Sequence, residues 1–118
     1  MTHLPDPSET AEVAPQDVAE WLASPQDDHP LVLDCREAEE LDICKIRGTD
    51  WLPLGRFPES IDSLADVSHR GIVVLCHHGM RSLRAAMFLR SHGIHRAFSM
   101  SGGIDAWSRL IDPEVPRY

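Results

Sequence analysis

The sequence lacks any long apolar run, and its first residues contain neither a basic region nor an apolar core. A membrane-spanning helix needs about 20 consecutive apolar residues, so none is expected. The absence of a visible targeting segment makes the cytoplasm the expected compartment. Basic residues are also few, because 11 Lys and Arg stand against 19 Asp and Glu and give a net charge of −8. We therefore expect neither a nucleic acid nor a membrane as a partner.

Cysteine is scarce as well, and its three residues are irregularly spaced. An odd number without a regular spacing does not predict a disulfide framework. In a reducing compartment these residues are better interpreted as one or more functional thiols together with buried ones. The chain of 118 residues is long enough for one domain with a sizeable core.

Short apolar runs and helical periodicities alternate along the chain. Residues 1–10 are acidic and rich in proline, which predicts a disordered arm before a domain spanning 11–118. The predicted strands are 11–14, 31–35, 51–52, 72–75 and 97–100. The predicted helices are 15–23, 36–41, 57–65, 82–91 and 104–110. This alternation predicts an α/β fold with a central, mostly parallel five-stranded sheet and helices on both faces.

The region around Cys76 carries the strongest chemical signal. It follows the most strand-like run, and a helical pattern begins at Ser82. Ligands of parallel sheets bind at the carboxyl ends of strands, where loop amides and a helix N-terminus favour a thiolate and a bound anion. Gly79 allows a tight turn, and Arg81 supplies a forked cation for an oxyanion. The alternative is that Cys76 is only a small buried hydrophobic residue.

Three motifs then resemble one family, the rhodanese-like sulfurtransferases, and in particular their single-domain members. Residues 76–82 match the family pattern Cys-x-x-Gly-x-Arg-Ser/Thr. Residues 33–41 are similar to its Asp-Val-Arg-Glu segment, and residues 102–107 to its closing Gly-Gly-x-x-Ala-Trp. The three motifs occur in the family order, and together the resemblance covers about residues 13–107.

The resemblance implies a double displacement. Cys76 would take the outer sulfur from a donor such as thiosulfate, and the resulting persulfide would pass it to cyanide, a thiol or a protein. No metal or organic cofactor is implied, and we expect a monomer or a weak dimer. The implied donor-binding residues are those of the loop, His77, His78, Gly79, Met80, Arg81 and Ser82. Asp34 and Arg36 would brace this loop from the neighbouring strand.

Two alternatives to the enzyme stay open. One is a non-catalytic sulfur carrier or regulatory module on the same fold. The other is a cysteine-loop phosphatase, in which five residues separate cysteine from arginine, whereas four do so here. The chain also departs from the family pattern His-Ile-Pro-Gly-Ala at residues 45–49, where Lys45 or Arg47 is predicted to help recruit anions.

The remaining histidines, thiols and tryptophans give weaker predictions. His77 and His78 suggest a metal site, but adjacent ligands on one tight loop rarely converge on one ion, so they are predicted to line the mouth of the site instead. Cys35 stands where the family has valine, which predicts a buried residue. Cys44 could be an exposed thiol that resolves a persulfide. The tryptophans are expected in the core, at positions Trp21, Trp51 and Trp107.

Overall fold

The computed structural model describes residues 3–25 and 29–118. Its strands are β1 (Glu12–Val13), β2 (Leu31–Asp34), β3 (Asp50–Trp51), β4 (Ile72–Leu75) and β5 (Ala97–Met100). Its α-helices are α1 (Pro15–Ala23), α2 (Ala38–Ile43), α3 (Ile61–Asp66), α4 (Met80–Ser91) and α5 (Gly103–Leu110). Short 3-10 turns occupy residues 54–56, 58–60 and 68–70.

The five strands form one sheet in the order β1-β5-β4-β2-β3, and every neighbouring pair is parallel. The central strand β4 has the sequence Ile-Val-Val-Leu, and all four of its residues are buried. A strand covered on both faces has no solvent side, which is why its sequence is continuously apolar rather than alternating. The predicted α/β fold with a five-stranded parallel sheet is confirmed.

Two separate cores lie on the two faces of the sheet. Val73 and Leu75 point into a core with α1 and α5, whereas Ile72 and Val74 point into a core with α3 and α4. Successive residues of a strand face opposite sides, so β4 contributes to both cores in alternation. This arrangement confirms the prediction of helices on both faces. Among the described helices, none combines the length and the apolar character needed to cross a membrane.

Several element boundaries differ from the predictions. Helix α4 begins at Met80 rather than at Ser82, because Gly79 adopts a φ of 107° and turns the loop directly into the helix. Helix α2 begins two residues later than predicted, because Arg36 is turned into the protein interior. The region predicted as one helix over 57–65 is divided between a 3-10 turn and α3.

Trp51 is not a core residue, so that prediction is wrong. Its side chain is 49% exposed on the two-residue edge strand β3. Its indole N–H nevertheless donates a hydrogen bond of 2.8 Å to the backbone carbonyl of Arg36. The other two tryptophans, Trp21 and Trp107, are buried in the core between the sheet and α1 and α5.

The segment before β1 contacts the domain in the residues that are described. Leu4 packs against the core on the α1 side, and the Arg90 guanidinium donates hydrogen bonds to the carbonyls of Pro7 (2.8 Å) and Thr10 (2.9 Å). The predicted arm of residues 1–10 therefore has anchoring contacts from α4, and Met1 and Thr2 lie outside the described residues. The boundary between arm and domain at residue 11 stays a prediction.

Candidate active site

Cys76 is the first residue after β4 and lies at the carboxyl edge of the sheet. Its side chain is only 1% exposed. The backbone N–H groups of Gly79 and Ser82 point at its sulfur, with N–Sγ distances of 3.1 and 3.3 Å. Ser82 Oγ lies 3.4 Å from the same sulfur. These donors, two of them at the N-terminal end of α4, favour a negative charge on the sulfur atom.

The opposite side of the loop is fixed by α5. The N–H of Ile104 donates to the Cys76 carbonyl at 2.8 Å, and the N–H of Asp105 donates to the His77 carbonyl at 3.1 Å. Because the carbonyls of Cys76 and His77 point to the N-terminus of α5, the loop is held with the N–H groups of Gly79 and Ser82 facing Sγ. Gly103 permits this close approach, because it has a φ of 60° and a Cβ there would lie 2.5 Å from the Cys76 oxygen. The glycines of the third motif therefore serve the loop directly.

Cys35 is a further donor to the sulfur of Cys76. It follows β2 and is fully buried. The pKa of Cys76 is lowered to about 4, and the largest cause is the hydrogen bond from the Cys35 thiol. The smaller causes are the hydrogen bonds from the hydroxyl and N–H of Ser82 and from the N–H of Gly79, whereas burial opposes this shift. The pKa of Cys35 is raised, because it donates to the Cys76 sulfur and would otherwise place a second buried charge beside it. Cys76 is thus the thiolate of the pair, since it alone receives the Gly79 and Ser82 N–H bonds within the described residues.

Ser99 belongs to the site and was not predicted. It is fully buried on β5, and its hydroxyl lies 2.7 Å from Ser82 Oγ. This contact orients the Ser82 hydroxyl beside the Cys76 sulfur. The signal in the sequence is a serine inside the buried strand Ala97–Met100, since a polar group in such a strand must find a hydrogen-bond partner.

Arg81 is paired with an acid rather than free for a donor. Its Nη1 and Nη2 atoms lie 2.7 and 2.8 Å from the two carboxylate oxygens of Glu40 on α2. The hydrogen bonds from Arg81 lower the pKa of Glu40 to about 2, although partial burial of the Glu40 carboxyl group opposes this shift. This bidentate pair ties the start of α4 to α2. A direct role of Arg81 in donor binding stays a prediction.

Asp34 and Arg36 form a buried ion pair at the end of β2. The Nη2–Oδ2 distance is 2.7 Å, and the side chains are 1% and 0% exposed. Arg36 also donates to the Cys44 carbonyl at 2.8 Å and to the Tyr118 hydroxyl at 3.0 Å. In the described part of the chain, this pair reaches the loop indirectly, because Tyr118 donates to Glu40 at 2.8 Å and Glu40 holds Arg81.

The two loop histidines contact each other, and His77 also contacts Tyr118. The rings of His77 and Tyr118 stack with their centroids 3.7 Å apart and an interplanar angle of 7°. The rings of His77 and His78 lie 3.9 Å apart. Tyr118 belongs to no motif, and nothing in the sequence predicts its place beside the loop. Met80, another predicted donor-binding residue, is 71% exposed.

His77 and His78 lie together with Asp105 in an arrangement that could hold a metal ion. This differs from the expectation that adjacent histidines on a tight loop rarely converge on one ion. One potential ligand atom from each of the three residues lies within 4.8 Å of the others. Convergence is possible because the third group comes from α5. Asp105, however, already accepts hydrogen bonds from Arg109 (3.2 Å) and Arg117 (2.9 Å), so its charge is balanced by two cations. Arg109 and Arg117 therefore compete with a cation for the Asp105 carboxylate.

Three other residues singled out in the sequence are not among the groups that contact the Cys76 sulfur. Cys44 is only 7% exposed and packs in the core on the opposite face of the sheet, so the alternative of an exposed thiol is wrong. Lys45 and Arg47 line a groove between α1 and the end of α5, together with Asp112 and Glu114. The lining of this groove includes none of the residues 76–82, and a role of these cations in anion recruitment stays a prediction.

Comparison with known proteins assigns the fold and the loop to one family. Residues 16–110 match the family described as Rhodanese-like domain, and the chain belongs to that family. It is 37% identical over 93 residues to Adenylyltransferase and sulfurtransferase MOCS3-1 of Zea mays, covering 75% of this chain and 20% of that protein. It is 32% identical over 99 residues to tRNA uridine(34) hydroxylase of Xanthomonas campestris, covering 78% of this chain and 39% of that protein.

The chain spans well under half the length of these curated relatives. Solved structures of similar size share the fold. The rhodanese-related protein of Thermoplasma volcanium aligns with a TM-score of 0.69 and 28% identity, over 89% of this chain and 94% of that one. The human single-domain sulfurtransferase TSTD1 aligns with a TM-score of 0.70 and 21% identity, over 86% and 97%. The predicted membership of the rhodanese-like family is confirmed.

The low pKa of Cys76 gives a direct test of the loop geometry. Alkylation of Cys76 by iodoacetamide should proceed at nearly the same rate at pH 8 and pH 5, because a group with a pKa of about 4 remains a thiolate over this range. The alkylation rate of an ordinary thiol would fall roughly 1,000-fold between pH 8 and pH 5. Peptide mass spectrometry measures the rate at Cys76 itself.

Ser82→Ala removes one donor and should make the rate fall between pH 8 and pH 5. Ser91→Ala is the matched control, because Ser91 lies at the far end of α4 and, among the described residues, its hydroxyl bonds locally, to Phe88 and His92. A wild-type rate that declines about tenfold for each pH unit below 8 would show that the loop does not hold a thiolate.

Proposed function

We propose that this domain is a sulfurtransferase that moves a sulfane sulfur from thiosulfate, or a similar donor, to a thiophilic acceptor through a persulfide on Cys76. The observation that carries the proposal is the convergence of the Gly79 and Ser82 N–H groups and the Ser82 hydroxyl on one sulfur atom. Membership of the rhodanese-like family and similarity to relatives named as sulfurtransferases support it.

In the first step, the Cys76 thiolate attacks the outer sulfur of thiosulfate. The S–S bond of the donor breaks, sulfite leaves with the electron pair, and the transferred sulfur remains on Cys76 as a persulfide. The N–H groups of Gly79 and Ser82 point at Cys76 Sγ and stabilise the negative charge of the attacking thiolate, as the donors of an oxyanion hole do. The ion pair of Arg81 with Glu40 keeps the start of α4, and with it the Ser82 N–H, in place.

In the second step, an acceptor thiolate attacks the outer sulfur of the persulfide, and the Cys76 thiolate leaves. A thiol of low pKa leaves faster, so the donors that activate Cys76 as a nucleophile also favour this step. The exposed Met80 beside the loop supports a protein or thiol acceptor that approaches from this side. We take the cytoplasm as the compartment, because reducing conditions keep Cys76 available.

Intact mass spectrometry after incubation with thiosulfate tests this function. We expect a gain of about 32 Da that maps to Cys76, no such gain in Cys76→Ser, and loss of the gain on addition of cyanide or a thiol acceptor. Cys44→Ala is the matched control, because Cys44 lies in the core on the other face of the sheet and should leave loading unchanged. Absence of the adduct with thiosulfate and with polysulfide would refute the enzyme and favour a non-catalytic module.

A further inference from the structure

Cys35 and Cys76 occupy equivalent positions at the ends of two paired strands. The register of β2 and β4 pairs Asp34 with Leu75, and the N–H of Cys35 continues the ladder to the Leu75 carbonyl at 3.0 Å. The next residues on the two strands are therefore neighbours. Backbones of adjacent strands lie about 4.8 Å apart. This spacing is within the Cα separation of roughly 4.4–6.8 Å that a disulfide requires.

The two side chains also point to the same side. Both belong to the core that the sheet forms with α3 and α4. Both are buried, and hydrogen bonding from the Cys35 thiol is the largest cause of the lowered pKa of Cys76. A bond between the two sulfur atoms thus needs no change of strand register. Cys44 lies in the core on the opposite face of the sheet, which separates it from Cys76.

The charge on Cys76 determines when Cys35 can react. While Cys76 is a thiolate, Cys35 stays protonated, because a second negative charge beside the first would be strongly unfavourable in this buried position. In a persulfide, the negative charge lies on the outer sulfur, and the Cys76 Sγ atom becomes neutral and open to attack. The donors of the loop reach that sulfur from the α4 side, whereas Cys35 reaches it from the neighbouring strand.

We propose that Cys35 discharges the loaded domain when no acceptor arrives. This inference rests on the proposed function, because it starts from the persulfide on Cys76. In the step, the Cys35 sulfur attacks the Cys76 Sγ atom of the persulfide. The new bond is the Cys35–Cys76 disulfide, the Cys76 S–S bond to the outer sulfur breaks, and that sulfur leaves as hydrosulfide. The Cys35 proton departs with the leaving sulfur, the sulfane sulfur is the oxidant, and the two cysteines are oxidised.

The disulfide is an inactive form of the domain. Two equivalents of a thiol reductant, or one dithiol, restore the Cys76 thiolate by thiol-disulfide exchange. The domain can therefore hold its sulfur only as long as acceptor attack is faster than attack by Cys35. Without an acceptor, the product is free sulfide.

The test begins with protein loaded by thiosulfate and freed of donor by gel filtration. Wild type, kept without an acceptor, should lose the gain of about 32 Da, end about 2 Da below the reduced mass and release one equivalent of sulfide. A peptide digest under non-reducing conditions should contain a cross-link between the peptides of Cys35 and Cys76. Cys35→Ser keeps a hydroxyl donor at the same position, and it should retain the added sulfur at least tenfold longer with no cross-link.

Cys35→Ala is a second variant in case Cys35→Ser does not fold, and Cys44→Ala should discharge at the wild-type rate. Equal lifetimes of the persulfide in wild type and in the Cys35 variants would overturn the proposal. A separate arm uses diamide, a thiol oxidant that needs no sulfur donor. If thiosulfate fails to load the wild type, the proposed function fails, whereas absence of a Cys35–Cys76 cross-link after diamide overturns the present inference alone.

Discussion

Arg36→Ala is expected to lower the free energy of unfolding by about 3–5 kcal/mol, because it leaves the buried carboxylate of Asp34 without its cation. The Asp34 side chain is 1% exposed, so water cannot replace the lost partner. The variant also removes the hydrogen bonds to the Cys44 carbonyl and the Tyr118 hydroxyl. Against a typical total stability of about 5–15 kcal/mol, this loss is large. Urea unfolding followed by circular dichroism measures it as a shift of the midpoint.

The matched control is Arg56→Ala. Arg56 pairs with Glu59 at 2.8 Å, much like the buried pair, but the two side chains are 65% and 63% exposed. Exposed pairs contribute at most about 1 kcal/mol, so its midpoint should hardly move. Similar shifts for both variants would mean that the Asp34–Arg36 pair does not stabilise the end of β2 through its burial.

Gly103→Ala should reduce the rate of sulfur transfer by about 100-fold or more, since displacements near 1 Å at a reacting centre have effects of that size. Gly103 has a φ of 60°, and an added Cβ would lie 2.5 Å from the Cys76 carbonyl oxygen and at least as close to that of His77. These neighbours are backbone atoms of the loop, so they cannot move without moving the loop. The transfer of sulfur from thiosulfate to cyanide, at saturating donor, measures the effect.

Gly93→Ala separates backbone strain from the clash. Gly93 has a φ of 88°, but a Cβ there would meet no atom within 4 Å. It should lose about 1 kcal/mol of stability and keep its rate of sulfur transfer. If Gly103→Ala behaved in the same way, the close packing of α5 on the loop would not be needed for the geometry at Cys76.

Much of this architecture is predictable because its signals are local. The apolar run of β4, the turn at Gly79 and the helix after it can be recognised from neighbouring residues alone. The partners of the charged groups could not be predicted in this way. Glu40 is far from Arg81 along the chain, and its role depends on how α2 docks beside α4. Periodicity carries no information about such contacts between distant segments.

The same limit explains the other differences. Tyr118 stacks on His77 and bonds to Arg36 and Glu40, yet no motif includes it. Trp51 is apolar, but it lies on an edge strand, where one side of the residue has no neighbour in the sheet. The prediction for Cys35 as a small buried residue was correct in burial but did not foresee its hydrogen bond to Cys76, because strand register is not visible in either segment alone.

The strand order has a consequence for the folding kinetics of the domain. The groups around the sulfur come from β2, the loop after β4, β5 and the start of α5, and β1 pairs with β5 across most of the chain. Contacts between such distant segments form slowly, because their loop-closure entropy must be overcome first. During synthesis, Cys76 leaves the ribosome before Ser99 and Gly103 do. The loop that holds this cysteine therefore lacks its supports from Ser99 and Gly103 until β5 and the start of α5 have been synthesised and docked.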